Sequence, residues 1–352
     1  MQLFSRKNPQ LVGIDVSSSA VKLLQLSGSM NNLRVDYYGV EPLPANAVVD
    51  NNIVEVDLVS AAIGRLVSKA GVKTKSVATA VSGSAVITKI INMPSDLSED
   101  EMEQQLQMDA NQYIPYPIDE VSLDFSIIGA MEDNPAVNNV LIASSRSENV
   151  DVCIEAFEGA GLDLRVVDVE AFAIERTFNH IKNDYNIDDS EVVALFDIGA
   201  NNMTLHAMHK GMGIYSREQA FGGKQLTDEI MQRYGLSFDE AGLAKRQGGL
   251  PESYETEVLQ AFKDTLVQQV SRALQFFFSA TEFSNVDRIM LAGGCAAIEG
   301  IDELVEEQIG VPTQVSNPVE NLRISSRINE STLNSDAPSL MSVMGLAMRT
   351  FD

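Results

Sequence analysis

Two stretches about 180 residues apart share one pattern: an apolar strand that runs into an aspartate, a turn of small residues, and a second strand. The first stretch is Leu11 to Leu26, and the second is Ala194 to Met208. We interpret each as a β-hairpin with a small, hydrogen-bonding tip. Backbone N–H groups of such tips approach phosphates, and an aspartate at a strand end holds magnesium-bound water. Two facing tips would therefore enclose a nucleoside triphosphate, although one such stretch alone is more often an ordinary turn.

Two pairs of glycines lie at the ends of other predicted elements. Gly293 and Gly294 close an apolar strand before a helix, where the missing β-carbon lets a flat base or a phosphate lie against the backbone. The alternative is a tight turn and nothing more. Gly222 and Gly223 open a helix at Lys224, where free N–H groups and the helix dipole favour an anion. Glycines that only ease helix packing explain this second pair equally well.

Periodicity divides the chain further. Val56 to Ala70 has helical spacing and ends before Gly71, and Ser76 to Val81 reads as a buried strand. Ser98 and Glu101 form a capping-box spacing for a helix from about Glu99 to Pro115. Two strands follow, separated by a polar loop over residues 131–139. A long helix is expected over residues 255–283, and the glycine-containing apolar helix at 338–348 is expected to cross Ala171–Ile174 closely at Gly345.

The bulk composition excludes several classes of protein. The 352 residues are 45% hydrophobic and 21% charged, which indicates a globular chain of two or more domains. A net charge of −25 argues against DNA or RNA as a partner. Cys153 and Cys295 lack metal-binding spacing, and we expect His206 and His209 at the surface. No apolar run reaches the length of a membrane span or a signal peptide, so we expect a cytoplasmic protein without direct membrane insertion.

Together the two aspartate hairpins and the glycine turn at Gly293 and Gly294 resemble the actin-like ATPase superfamily. The resemblance implies an α/β, actin-like (ribonuclease H-like) two-lobed ATPase fold that binds ATP and Mg²⁺. Ser17 departs from the glycine that many relatives carry. Glu240 and Lys245 keep the spacing of a glutamate and lysine beside the adenosine, although as a bare pair they read as solvated surface. The implied nucleotide residues are Asp15, Ser17, Ser18, Ser19, Lys22, Asp197, Gly199, Ala200, Asn201, Gly222, Gly223, Lys224, Glu240, Lys245, Gly293 and Gly294, with Asp15 and Asp197 as the magnesium residues.

The same resemblance implies four subdomains. Residues 1–85 and 145–188 are expected to form the first lobe (1A), and residues 86–144 an inserted subdomain (1C) of the type found in the division protein FtsA. Residues 189–221 and 285–352 are expected to form the second lobe (2A). Residues 222–284 would form its helical subdomain (2B).

Several segments are similar to one family within this superfamily. Leu11 to Leu24, Val40 to Pro44, and Tyr113-Ile114-Pro115-Tyr116-Pro117 with the residues up to Val121 resemble PilM, the actin-like protein of type IV pilus assembly. That resemblance implies a cytoplasmic protein at the inner face of the inner membrane, held there by a PilN-like membrane protein. The partner's N-terminal cytoplasmic peptide would lie in a groove between the first lobe and the insertion. We expect Ala78, Ala80 and Val81 along one wall and the strand at Val121 along the other.

Our leading hypothesis is an assembly protein whose lobes close on ATP and thereby shape the groove. Lys22 and Lys224 would offset phosphate charge. Hydrolysis is expected to be slow at most, because no additional carboxylate stands out in the sequence as a positioned base. The alternatives are a small-molecule kinase on the same fold and a filament-forming protein similar to FtsA.

Overall fold

The computed structural model describes residues 10–131 and 133–352. In chain order, the elements of the first half are β1 (Val12–Val16), β2 (Ala20–Ser29), β3 (Asn32–Pro42), β4 (Val48–Val49), β5 (Asn52–Ile53), α1 (Val56–Ala70), β6 (Ser76–Val81), β7 (Val86–Pro94), α2 (Glu99–Tyr113), β8 (Val121–Met131), β9 (Asn134–Arg146), α3 (Ser147–Gly159), β10 (Asp163–Val169) and α4 (Glu170–Ile181). The predicted bounds of α1 and β6 are confirmed.

The elements of the second half are β11 (Val192–Ile198), β12 (Met203–His209), β13 (Met212–Gln219), α5 (Gly223–Tyr234), α6 (Phe238–Gln247), α7 (Gln260–Ala280), β14 (Arg288–Ala292), α8 (Ile301–Ile309), β15 (Thr313–Val315), β16 (Arg323–Ile324), α9 (Glu330–Asp336) and α10 (Met341–Met348). The expected long helix over residues 255–283 is a π-helical turn, Glu255–Leu259, followed by α7.

The first lobe is built on a six-stranded sheet in the order β10-β6-β1-β2-β3-β16. Its central strands are apolar on both sides because both faces are covered. Val12, Ile14 and Leu23 pack against α1 and α3. Leu24 and Leu26 on the neighbouring strand pack against the C-terminal helices. Because helices cover both faces of the sheet, Asp15 at the carboxyl end of β1 lies at an edge of the buried core.

The second lobe is built on a five-stranded sheet in the order β13-β12-β11-β14-β15. One face packs against α5, α7 and α8. Ile174, Phe178 and Ile181 of α4 cover the other face. Ala173 of the same helix packs with Ala78 of the first sheet, so α4 lies between the two sheets.

The expected close crossing at Gly345 is confirmed. A β-carbon at Gly345 would lie 1.9 Å from the carbonyl oxygen of Ala173. The two helices are also tied by Thr177, whose hydroxyl donates to the carbonyl of Met341 at 2.7 Å. Only glycine allows α10 to approach α4 this closely.

The C-terminal segment corrects the expected boundary of the second lobe. Residues 285–352 were assigned to that lobe, but β16 pairs in parallel with β3 of the first sheet. The apolar face of β2 and β3 is covered by side chains of the C-terminal segment, among them Val319, Leu333, Leu340 and Val343. The physical reason is that this face of the first sheet has apolar side chains that need cover, and the end of the chain supplies it.

The insertion contains the sheet β7-β9-β8 with α2 on one face. The predicted capping box is present, with Ser98 Oγ accepting from the N–H of Glu101 and the Glu101 carboxylate accepting from the N–H of Ser98. The polar loop expected over residues 131–139 is wrong, because β9 begins at Asn134 and pairs with both neighbours. Strand pairing satisfies the backbone there, and the side chains of residues 134–136 are exposed.

The expected surface position of His206 is also wrong. His206 lies on β12, inside the second sheet, and is 4% exposed. Burial lowers the pKa of its imidazole to about 4, so the ring is neutral at physiological pH. Its Nδ1 is 3.4 Å from the hydroxyl of Ser216 on the adjacent strand. The alternating polar and apolar residues of β12 therefore gave no sign that both of its faces are covered.

Candidate functional site

The first loop connects β1 to β2 and presents two opposite charges. Asp15 and Lys22 are paired in the antiparallel register, and Lys22 Nζ lies 3.1 Å from Asp15 Oδ2. Both the N–H and the hydroxyl of Ser17 donate to the carbonyl of Ala20, which closes the turn. Within the described residues, Ser18 and Ser19 donate no hydrogen bond. Their N–H groups are free to approach an anion.

The second loop connects β11 to β12 and follows Asp197. The N–H of Gly199 donates to the carbonyl of Asn202 at 2.9 Å and closes the loop. The carbonyls of Gly199 and Ala200 accept from the N–H groups of Gly223 and Lys224, at 3.0 and 2.8 Å. Of the two explanations for the glycines at the start of α5, the structure therefore supports close packing. The first N–H groups of this helix hold the second loop in place.

The glycine turn after β14 lies directly against the second loop. Gly293 has φ +84°, and a β-carbon there would lie 2.5 Å from Asp197 Oδ1 and 2.4 Å from the carbonyl oxygen of Ile198. Its N–H donates to the carbonyl of Pro338 at 2.7 Å. The corresponding position at Gly294 is open, with nothing within 4 Å. A flat group thus has access to the backbone of Gly294 beside the Asp197 loop.

Four ionisable side chains meet between the two hairpins: Asp15, Lys22, Glu170 and Asp197. Burial raises the pKa of Asp197 to about 6, and the nearby Lys22 opposes that rise. Burial raises the pKa of Glu170 to about 8, and Asp15 and Asp197 raise it further by repulsion. At pH 7 the Glu170 carboxyl is mainly protonated. At pH 7 the cluster therefore carries one more proton than it would if all three of its carboxyl groups were ionised.

Glu170 is a further carboxyl of this cleft, beyond Asp15 and Asp197. It is the first residue of α4 and directly follows β10, which lies parallel to β6. Side chains at the carboxyl ends of parallel strands meet at one edge of a sheet, where ligands bind. The acidic residue after Val169 was the sequence signal, and it was overlooked because β10 lacks a glycine turn.

The remaining predicted residues divide into two groups. Lys245 donates to the carbonyl of Gly223 at 3.0 Å and to Thr227 Oγ1 at 2.9 Å, so it lies beside the second loop with Cys295. Lys224 is paired with Asp228 on the exposed face of α5, at 2.6 Å. Glu240 is exposed and caps its own helix through Ser237. The ammonium of Lys224 and the carboxylate of Glu240 are therefore engaged elsewhere and do not belong to the charged cluster.

A cavity of about 210 Å³ lies at the carboxyl end of β6, in the first lobe next to the point where the chain enters the insertion. Ala80 and Val81, two of the residues expected at the partner groove, line this cavity. Ala78 does not, because it is fully buried against Ala173 and Leu346. The opposite wall is the start of α3 and the β4–β5 hairpin, and the strand at Val121 is not part of it. The lining residues are Val16, Asn51, Asn52, Ile53, Thr79, Ala80, Val81, Ser82, Ala85, Glu148, Asn149, Val152 and Cys153.

The Tyr-Ile-Pro-Tyr-Pro segment lies close to this cavity. Arg146 packs over the ring of Tyr116, with its guanidinium carbon 4.6 Å from the ring centre. The same arginine pairs with Glu148, a lining residue, at 3.1 Å. Arg146 thus links this segment of the insertion to the rim of the cavity.

The described residues bear on metal binding and membrane crossing in two ways. They contain no cluster of three histidine, cysteine or acidic side chains arranged to hold a metal ion. Among their helices, none combines the length and apolarity that crossing a bilayer requires.

Two sheets of this topology, each with an aspartate hairpin and facing each other across a cleft, define the actin-like ATPase fold. Residues 13–351 match the profile of the family described as type IV pilus assembly protein PilM, and the chain belongs to that family. A solved PilM–PilN type IV pilus biogenesis complex contains a chain that is 27% identical, with a TM-score of 0.80 over 98% of this chain and 99% of that one.

More distant relatives share the fold. The ethanolamine utilization protein EutJ from Carboxydothermus hydrogenoformans is 16% identical, with a TM-score of 0.57 over 96% of this chain and 89% of EutJ. The cell division protein FtsA of Bacillus subtilis (strain 168) is 22% identical over 358 residues, which cover 88% of this chain and 79% of FtsA. Family membership sets aside the small-molecule kinase alternative.

Proposed function

We propose that the protein binds Mg-ATP between its two lobes and binds the N-terminal cytoplasmic peptide of a PilN-like membrane protein in the groove beside β6. The observation that carries the nucleotide site is the meeting of Asp15, Lys22 and Asp197 with the open backbone of Gly294. These residues come from both lobes. A ligand that touches all of them therefore favours lobe closure.

The residues present fit a magnesium-bound triphosphate. Ser18 and Ser19 offer free N–H groups, and Lys22 offers a positive charge. Asp15 and Asp197 would hold Mg²⁺ through its water ligands, since Mg²⁺ retains several waters when few protein ligands are available. Bound there, Mg²⁺ would neutralise phosphate charge. Lys245 and Gly294 would lie on the adenosine side.

Hydrolysis is expected to be slow at most, because no motif in the sequence marks a positioned general base. A scaffold needs occupancy more than turnover. Robust steady-state ATPase activity of the isolated protein at pH 7 would contradict this part of the proposal.

The peptide site is supported by the family and by the cavity. The similar PilM chain was solved in a complex with PilN. In the present chain, the cavity lies in the first lobe beside the insertion, and its lining combines apolar side chains with asparagine and serine side chains. This lining suits an extended peptide. Such a partner would keep the protein at the inner face of the membrane.

The test is titration calorimetry with a synthetic peptide of the cognate PilN N-terminus. Val152→Phe on α3 fills the cavity, and we expect it to weaken binding at least about tenfold, since an inserted ring displaces one anchoring side chain. Ile154→Phe is the matched control, because Ile154 lies two residues away and does not line the cavity. Equal affinity of both variants would place the peptide elsewhere.

A further inference from the structure

The β4–β5 hairpin carries a side chain that touches both lobes. Its turn residues, Asp50 and Asn51, have φ +49° and +60°, and Val49 pairs with Asn52 across the turn. Two left-handed residues in a two-residue turn are typical of a type I′ hairpin, and asparagine tolerates that conformation. The turn therefore holds Asn51 in a defined position at the tip.

On one side, the Asn51 amide reaches the second lobe. Its Nδ2 donates to Glu218 Oε2 at 2.6 Å. The other carboxylate oxygen of Glu218 accepts from Nδ2 of Asn202 at 3.1 Å. Asn202 closes the second loop by accepting from the N–H of Gly199. Two hydrogen bonds thus connect the hairpin tip to the loop that follows Asp197.

On the other side, the same amide nitrogen reaches the groove. Nδ2 of Asn51 donates to Ser82 Oγ at 3.2 Å. The Ser82 hydroxyl caps the 3-10 turn Gly83–Ala85, and Ser82, Ala85 and Asn51 all line the cavity. An amide nitrogen has two hydrogens, and both are used here, one toward each lobe.

We propose that Asn51 transmits lobe closure to the partner groove. The inference rests on the proposed function, because it concerns how the nucleotide cleft regulates the peptide site. When the lobes separate, Asn51 loses Glu218, and the groove wall at Ser82 loses the contact that fixes it. A ligand that favours closure therefore changes the affinity of the groove, and the groove's occupant changes nucleotide affinity by the same factor.

The experiment measures that factor in the full chain. Peptide affinity is titrated with and without Mg-ATP, using the cognate PilN N-terminal peptide, and Mg-ATP affinity is titrated with and without peptide. We expect both ratios in the wild type to agree and to differ from one by about fivefold or more. Asn51→Gly removes the amide and keeps the left-handed turn, and Glu218→Ala removes its acceptor without altering the cavity lining. Each should bring the ratio to within about twofold of one.

Control experiments distinguish failure of this inference from failure of the proposed function. Asn46→Gly replaces another asparagine of positive φ, at 66° and exposed, and should keep the wild-type ratio. The Asn51→Gly, Glu218→Ala double variant should match either single variant, because the two side chains act as one contact. A wild-type ratio in both single variants, or a ratio of one in the wild type, overturns the inference while peptide and nucleotide binding stand. Failure of the wild type to bind either ligand overturns the proposed function as well.

Discussion

Lys22 keeps its charge in the cleft because three carboxyl groups surround it. Burial by itself lowers the pKa of its ammonium, but Asp15, Asp197 and Glu170 outweigh burial and leave that pKa above its ordinary value. The lysine in turn opposes the burial-driven rise in the pKa of Asp197. These side chains lie far apart in sequence, so each depends on the folded arrangement for its charge.

Glu170 makes the stability of the protein depend on pH. Its pKa is raised by burial from 4.5 to about 8, so between these values the unfolded chain has lost a proton that the folded chain retains. The free energy of unfolding therefore falls as pH rises through this window. We expect Glu170→Gln to match the wild type at pH 5 and to be more stable at pH 8.5, by about 2 kcal/mol after allowance for cleft water. Urea unfolding measures the difference.

Glu155→Gln provides the control for that series. Glu155 is exposed on α3, away from the cleft. We expect its substitution to give the same pH dependence as the wild type. Parallel stability curves for the wild type and Glu170→Gln would contradict the assignment of a protonated Glu170.

Asp197 should make nucleotide binding weaker in acid. Its pKa of about 6 means that the carboxylate is lost as pH falls below 6, and with it the charge that would hold hydrated Mg²⁺. We expect Mg-ATP affinity of the wild type to be about fourfold lower at pH 5.5 than at pH 7.5. Asp197→Asn should lack this step. Because the nucleotide titrates equally in both experiments, the ratio of the two proteins' affinities isolates Asp197, and a constant ratio would refute the prediction.

Two glycines within helices differ in the space available at their β-carbon positions. Gly345 of α10 faces the carbonyl of Ala173, whereas Gly64 of α1 has open space at its β-carbon position. We expect Gly345→Ala to lower the free energy of unfolding by about 1–3 kcal/mol through overpacking. We expect Gly64→Ala to raise it by about 0.5–1 kcal/mol, since alanine favours the helix. Urea unfolding compares them, and equal effects would argue against the close crossing.

Local signals predicted the helices better than the strand ends. Ser98 with Glu101 forms the predicted capping box, and Ser237 with Glu240 forms a second one, because such hydrogen bonds join residues three positions apart. The start of β9 was missed because Asn134 to Asn139 are held by pairing with β7 and β8, which no pattern within the segment reveals. Helix signals are local, whereas strand ends depend on neighbouring strands.

The whole molecule should respond to nucleotide as a unit. The first loop belongs to the first lobe and the second loop to the second, so a ligand between them is lost when either lobe unfolds. We expect Mg-ATP at 100 times its dissociation constant to raise the free energy of unfolding by about 2.7 kcal/mol. Mg²⁺ alone should do much less, and Asp197→Ala should lose most of the effect. A urea transition that splits, with only one part shifted by ATP, would show that the nucleotide contacts a single lobe.

The two aspartate hairpins, the glycine turn at Gly293, the bounds of α1 and the family could be predicted from residue patterns, because these features lie within short segments or persist as recognisable motifs. The packing of the folded chain sets which charges meet. It brought Glu170 to the cluster, paired Lys224 with Asp228, buried His206, and joined the C-terminal segment to the first sheet. It also linked Asn51 to Glu218 across 167 positions of the chain. Contacts of that range depend on how sheets and helices cover one another, which residue order alone does not specify.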